Sequence, residues 1–199
     1  EPMQCEGGER YGTPRFMART RALAAAYGVP FLVDEVQTGF HLGGAFFWHT
    51  EQGFATPPDL VTSAKKAQVG AVLSRWPSGV RNETSATSAL RGVLQAETLG
   101  AVDAQTWEED ARARLNAVVA RFPALVSNPR VQGYAFGFDL PSADAVAQLI
   151  RQRPWRAWMF YNAGECSLRF RLSPVFDAAA LDGLFGRLEA SLALLESEP

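Results

Sequence analysis

Residues 30–36 read Pro-Phe-Leu-Val-Asp-Glu-Val, an apolar run that carries two adjacent carboxylates near its end. The run is too short for an ordinary helix and lacks the alternation of a strand with one wet face. It suits a strand buried on both sides, as in a parallel sheet, and such a sheet needs helices to cover it. The flanking sequence agrees. Thr13-Pro14 predicts a helix start, with an N-cap threonine and proline at the first helical position. Phe16, Thr20, Leu23, Ala24 and Tyr27 follow at helical spacing as its apolar face, and Gly28 closes it. Beyond the strand, a loop with Gly39, Gly43, Gly44 and Phe46-Phe47-Trp48 leads to a second strand, Asp59–Ser63. A third apolar segment, Val69 to Leu73, is set off by Lys65 and Lys66. This alternation predicts an α/β layer architecture.

The second half starts with a polar, turn-rich stretch, 77–88. Helices are expected over 86–99 and 107–122, the latter with Trp107, Ala111, Leu115, Val118 and Phe122 on one stripe. Residues 131–140 and 167–172 read as strands. Asp177 caps a last helix with Leu181, Leu184, Leu188, Leu192 and Leu195 on its inner face. The expected division is residues 1–100 against an α+β part, 101–199.

Hydrophobic residues make up 47% and charged residues 20% of the 199, as in ordinary folded domains. With 19 basic and 21 acidic side chains the net charge is −2, so no broad attraction to nucleic acid is expected. No apolar run approaches the roughly 18 residues of a membrane helix. Cys5 and Cys166, far apart, suit two free thiols in a reducing cytoplasm. His41 and His49, eight apart with no paired cysteine, suggest no metal site. The opening Glu-Pro-Met-Gln-Cys-Glu-Gly-Gly has neither a basic nor an apolar stretch, so it does not read as a signal peptide.

Asp34 is costly inside an apolar strand unless a donor faces it; a bond to a neighbouring loop is one such arrangement. In open α/β sheets, however, ligands gather at the carboxyl ends of strands, where both Asp34 and Lys65 fall. A lysine pair is ordinarily a solvated feature. Placed between a buried strand and another apolar segment, Lys65 is expected to be a buried amine, and a desolvated lysine attacks aldehydes. A lysine and an aspartate in this relation suit pyridoxal phosphate, which takes a lysine at its aldehyde and an acid at its ring nitrogen.

Four motifs now resemble the class III aminotransferases. They are Asp34-Glu35-Val36-Gln37-Thr38-Gly39, the run from Pro58-Asp59-Leu60-Val61-Thr62 to Lys65-Lys66, the opening Glu1–Gly8, and Leu168-Arg169-Phe170-Arg171. Their order and spread over nearly the whole chain make the likeness specific. Lys65-Lys66-Ala67-Gln68-Val69 is closer to lysine 6-aminotransferases, while the spacing 65 − 34 = 31 is similar to 4-aminobutyrate aminotransferases. The resemblance implies the fold-type-I architecture of pyridoxal-phosphate-dependent transferases, here an incomplete large domain followed by an α+β small domain.

It also implies roles. Lys65, rather than Lys66, would bond covalently to pyridoxal 5'-phosphate and then act as general base, with Asp34 on the ring nitrogen. Val36 would pack on the ring and Gln37 reach its phenolic oxygen. Thr84 would bind the phosphate of the other subunit's cofactor in a homodimer with shared sites, or simply cap a helix. Arg169 would bind a substrate carboxylate and Glu6 would pair with it when an amine end faces the cofactor. Arg171, expected on the opposite face of the strand, reads as structural. The implied reaction moves a terminal amino group, such as lysine's ε-amine, to 2-oxoglutarate. The alternatives are an inactive remnant, or one half of a split enzyme serving as an interaction module; within the family, decarboxylases and aminomutases share these motifs. His41-Leu42-Gly43-Gly44 departs from the family's Arg-Thr-Gly, and Leu172-Ser173-Pro174 shifts the proline that follows the arginine strand. The family's glycine-rich phosphate loop has no counterpart in the sequence.

Overall fold

The structure is a computed structural model that describes residues 1–68, 70–77, 93–94, 97–98, 104–156 and 158–197. Val69, Thr84 and most of the helix expected over 86–99 lie outside the described residues. The chain divides into two compact units, Glu1–Met3 with Tyr11–Val102, and Gln4–Arg10 with Asp103–Pro199. A short ribbon of β1 (Met3–Gln4) and β2 (Arg10–Tyr11) marks two of the three places where the chain passes from one unit to the other, the third being Val102 to Asp103.

In the first unit, α1 (Pro14–Ala26) starts where the sequence expects, with the Thr13 hydroxyl accepting from the Phe16 N–H at 3.2 Å. Its inner face differs from expectation. Met17 and Arg21 are buried, while Phe16, Leu23 and Tyr27 are exposed. Arg21 can turn inward because Asp59 and the carbonyls of Thr56 and Pro57 accept its protons. The sheet has the order β3 (Leu32–Glu35), β4 (Leu60–Ser63), β5 (Ala71–Ser74). β3 and β4 run parallel with Asp34 opposite Thr62, and β5 returns antiparallel. Asp59 fixes the entry to both parallel strands. It accepts from the Phe31 N–H at 2.8 Å, from Arg21 at 3.1 Å and from Arg75 at 2.8 Å.

In the second unit four antiparallel strands lie in the order β6 (Ser127–Gln132), β7 (Ala135–Asp139), β9 (Ser167–Arg171), β8 (Tyr161–Ala163). Residues 131–140, expected as one strand, are a hairpin that turns at Gly133-Tyr134, with Gly133 at φ +56°. Its apolar residues continue through the turn, because the core holds the wholly buried Tyr134, and this hides the break in the sequence. Among the described residues, three longer helices and a single helical turn (Arg153–Arg156) complete the unit: α2 (Ala104–Arg121), α3 (Ala143–Arg151), capped by Ser142, and α4 (Ala178–Ser197). Phe136, Phe138, Leu168 and Phe170 alternate along β7 and β9 onto one face. They meet Leu115, Val118 and Phe122 in a buried core with Leu149, Leu181 and Leu188. The Phe136 and Phe170 rings stack 4.3 Å apart. On α4 the inner stripe is Leu181, Phe185, Leu188, Leu192 and Leu195, with Phe185 buried in place of the expected Leu184. Among the described residues no helix is long and apolar enough to cross a membrane.

Candidate active site

The parallel register of β3 and β4 brings their carboxyl ends side by side. Asp34 is half-buried there, and its Oδ1 accepts from the Val36 N–H at 2.9 Å and the Thr62 hydroxyl at 3.0 Å. Among the described residues no hydrogen bond reaches Oδ2. Thr62 joins the candidate site only through the parallel register that sets it opposite Asp34, which no local feature of the sequence marks. Val36 and Gln37 follow, both half-buried, and the Gln37 side-chain amide makes no hydrogen bond to described residues. Thr84 lies outside the described residues.

Lys65 opens a short 3₁₀ turn, Lys65–Ala67, directly after β4, with its backbone at φ +52°. The expectation that it is a buried amine is not met. Lys65 is exposed, whereas the Nζ of Lys66 is out of contact with solvent. The donor set still fits pyridoxal phosphate. A carboxylate with an uncommitted oxygen and a primary amine stand at the ends of neighbouring parallel strands, followed by an uncommitted amide.

A second polar cluster lies within the second unit, on the face of β7 and β9 opposite its aromatic core. Arg169 and Arg171 are two residues apart and therefore share that face; the expected alternation misapplied the two-residue pleat. Each holds a glutamate of segment 4–10. Arg171 grips Glu9, which is wholly buried, through two bonds of 2.7 and 2.9 Å. Arg169 donates from Nη2 to Oε1 of Glu6 at 2.6 Å, and the Glu6 side chain is 73% exposed. The Nε of Arg169 is buried and makes no hydrogen bond to described residues, and its guanidinium lies over the Tyr161 ring. Arg171 and Glu9 thus form a pair with a wholly buried carboxylate, and Arg169 and Glu6 a pair whose carboxylate faces solvent.

Gly137 makes room for this arrangement. A Cβ on it would stand 2.8 Å from the Leu168 carbonyl and 2.9 Å from the Glu9 side chain. At the other end of the face, Asp139 accepts from Arg130 and Ser167 at 2.6 Å each and from Asn128 at 2.9 Å. Burial works to raise its proton affinity, but these three donors outweigh it and hold the carboxyl below its usual range. Burial pushes the Cys5 thiol up, against the opposing charge of Arg171. Cys5 and Cys166 are both free thiols.

The family model of class III aminotransferases matches residues 1–192. L-lysine-epsilon aminotransferase of Mycobacterium tuberculosis is 31% identical over 215 residues, covering 98% of this chain and 47% of its own length. Human mitochondrial 4-aminobutyrate aminotransferase is 30% identical over 189 residues, covering 88% of this chain and 38% of its own. The solved lysine aminotransferase of M. tuberculosis superposes with a TM-score of 0.82 at 30% identity, over 98% of this chain and 48% of that one. N-acetylornithine aminotransferase from Stenotrophomonas maltophilia, at 22% identity and a TM-score of 0.86, shares the fold over the whole chain and 56% of its own. The chain spans about half the length of the curated relatives it matches. Its architecture is that of the fold-type-I pyridoxal-phosphate-dependent transferases, with part of the large domain followed by the α+β small domain. The chain belongs to the class III aminotransferases.

Proposed function

We propose that the chain forms the C-terminal part of a pyridoxal-phosphate-dependent transaminase that moves a terminal amino group, such as lysine's ε-amine, to 2-oxoglutarate. The observation that carries this reading is the pair of a buried Arg169 with a solvent-facing Glu6. A substrate carboxylate takes Glu6's place on the guanidinium, which suits two-pronged binding, and Glu6 returns when an amine end enters the site. One pocket then serves both the donor and the acceptor.

Pyridoxal phosphate, when bound, supplies the aldehyde that receives the amino group and a ring that takes up electrons. Lys65 would hold it through Nζ, and the same Nζ would serve as the base that moves a proton at the reacting substrate carbon. Asp34 keeps the ring nitrogen protonated with its uncommitted Oδ2. Val36 packs on the ring, and Gln37 donates to the phenolic oxygen. Thr84 binds the phosphate held by the other subunit of a homodimer. Two free thiols suit a cytoplasmic location. A second reading, that this polypeptide alone is an inactive remnant or half of a split enzyme, is supported by the exposure of Lys65 and of apolar Phe16, Leu23 and Val72.

The holoenzyme provides the test. Arg169→Ala removes charge-assisted bonds and is expected to raise KM for 2-oxoglutarate by roughly one to two orders of magnitude. Unchanged kinetics with that acceptor would remove Arg169 from the site. Lys65→Ala is expected to abolish the visible absorbance of bound cofactor that survives desalting, and Lys66→Ala to leave it.

A further inference from the structure

Glu35 stands next to Asp34 on β3, and successive residues of a strand face opposite ways. Asp34 therefore faces the candidate cofactor site while Glu35 points away from it, and Glu35 is 0% exposed. A carboxylate so placed is costly unless donors surround it. Four do. Its Oε2 accepts from the Thr38 hydroxyl at 2.8 Å and the Trp48 N–H at 3.0 Å. Its Oε1 accepts from the His49 N–H at 2.6 Å and from His49 Nδ1 at 2.7 Å. Roughly four lone-pair directions are available on a carboxylate, so Glu35 has none left for a ligand.

The donors come from the two ends of one loop. Thr38 is at its start and Trp48-His49 at its finish, so a single carboxylate draws residues 36–47 into a closed ring. Bonds within the loop tighten it, from Phe40 N–H to the Phe46 carbonyl at 2.7 Å and from Gly39 N–H to the Glu35 carbonyl at 3.0 Å. Gly43 lies against the Trp48 indole so closely that a Cβ there would meet the ring at 2.6 Å. Val36 and Gln37 occupy the short span between two anchors, the Val36 N–H on Asp34 Oδ1 and the Thr38 hydroxyl on Glu35.

We infer that Glu35 and His49 are positioning residues that clamp the 36–47 loop and so hold Val36 and Gln37 in register with Asp34 at the cofactor ring. This rests on the cofactor site proposed above. Glu35 touches no reacting atom; it acts through the loop. Two of the four donors are side-chain groups, the Thr38 hydroxyl and His49 Nδ1; the latter lies at the far end of the loop and can be removed while the His49 N–H remains.

His49→Phe keeps an aromatic ring against Phe54 and Phe47 but removes the Nδ1 donor, and His49→Asn returns an N–H near the same place. In the holoenzyme, His49→Phe is expected to weaken pyridoxal phosphate binding roughly tenfold or more, as for a lost bond to a charged group. It is also expected to shift the pH midpoint of the bound cofactor's visible absorbance and to speed amide exchange at residues 39–46 while β4 stays protected. His49→Asn is expected to restore all three. Unchanged affinity and midpoint in His49→Phe would overturn the inference, even if the loop exchanged faster, because the clamp would then be structural only. The Lys65→Ala control separates the two levels. If that protein keeps the cofactor absorbance, the site reading falls and takes the inference with it. If Lys65→Ala loses the absorbance while His49→Phe matches the unsubstituted enzyme, the inference alone falls.

Discussion

Arg169 and Arg171 differ by two positions and by the kind of partner each holds. Glu9 is wholly buried and holds Arg171 through both oxygens; Glu6 receives Arg169 Nη2 on Oε1 and stands largely in solvent. A buried pair that loses one partner leaves an uncompensated charge, whereas an exposed carboxylate is readily rehydrated. In the proposed mechanism that contrast makes Glu6, not Glu9, the member that would exchange. Gly137 permits the whole face, since the Leu168 carbonyl and Glu9 occupy the space of a side chain. Gly137→Ala is expected to destabilise the protein by about 1–3 kcal/mol, as overpacking does, read from the urea midpoint. A midpoint equal to that of the unsubstituted protein would show that the sheet yields there. Arg169 and Glu6 were legible as candidates from the sequence through resemblance, and Arg171 as a structural residue. Their common face was not, because it needed the pleat to be counted correctly, and Gly137 gave no sign because its reason is a neighbour far along the chain.

At the scale of elements, two aspartates fasten structure through backbone and arginine donors. The Phe31 N–H chiefly holds Asp59 below the usual carboxylate range, with Arg21 and Arg75 adding to it against the effect of burial. Asp139 is lowered in the second unit as described above. A carboxyl that is more acidic in the folded state binds its proton more tightly when unfolded. Its contribution is therefore complete above the unfolded value, about pH 4, and is lost as pH falls through the lower folded value. The urea midpoint by far-UV circular dichroism is expected to hold level from neutrality to about pH 5 and to fall steeply below about pH 4. Asp139→Asn is expected to flatten part of that fall; an unaltered acid limb would deny Asp139 this role. Helix starts at Thr13 and Asp177 follow directly from capping chemistry, as the structure shows. The exposed stripe of α1 is the counterexample, since the same periodicity that marks a helix does not tell which of two faces packs inward when an arginine finds buried acceptors.

Taken as a whole, the chain covers 47% of the M. tuberculosis relative and 38% of the human one, and its first unit leaves Phe16, Leu23, Leu32, Val72 and Leu73 about half or more exposed. Apolar surface of this kind favours association in water. The polypeptide on its own is expected to self-associate with rising concentration, to bind pyridoxal phosphate weakly and to turn over no substrate. Sedimentation and desalting followed by absorbance check these points. A monodisperse monomer that retains cofactor would contradict them.

The sequence by itself determined that a strand with its carboxylates lies within residues 30–36, though the structure confines it to Leu32–Glu35 and leaves Leu32 exposed, and it determined the capped helices and the family, because these depend on local spacing and on motifs in order along the chain. Only the tertiary structure decided that Thr62 supports Asp34, that Glu35 gathers both ends of the 36–47 loop, that segment 4–10 belongs with the second unit, and that Lys65 rather than Lys66 stands in solvent. Each of these depends on which groups from distant positions become neighbours, and on whether another layer covers them, and neither register nor cover is written in local spacing.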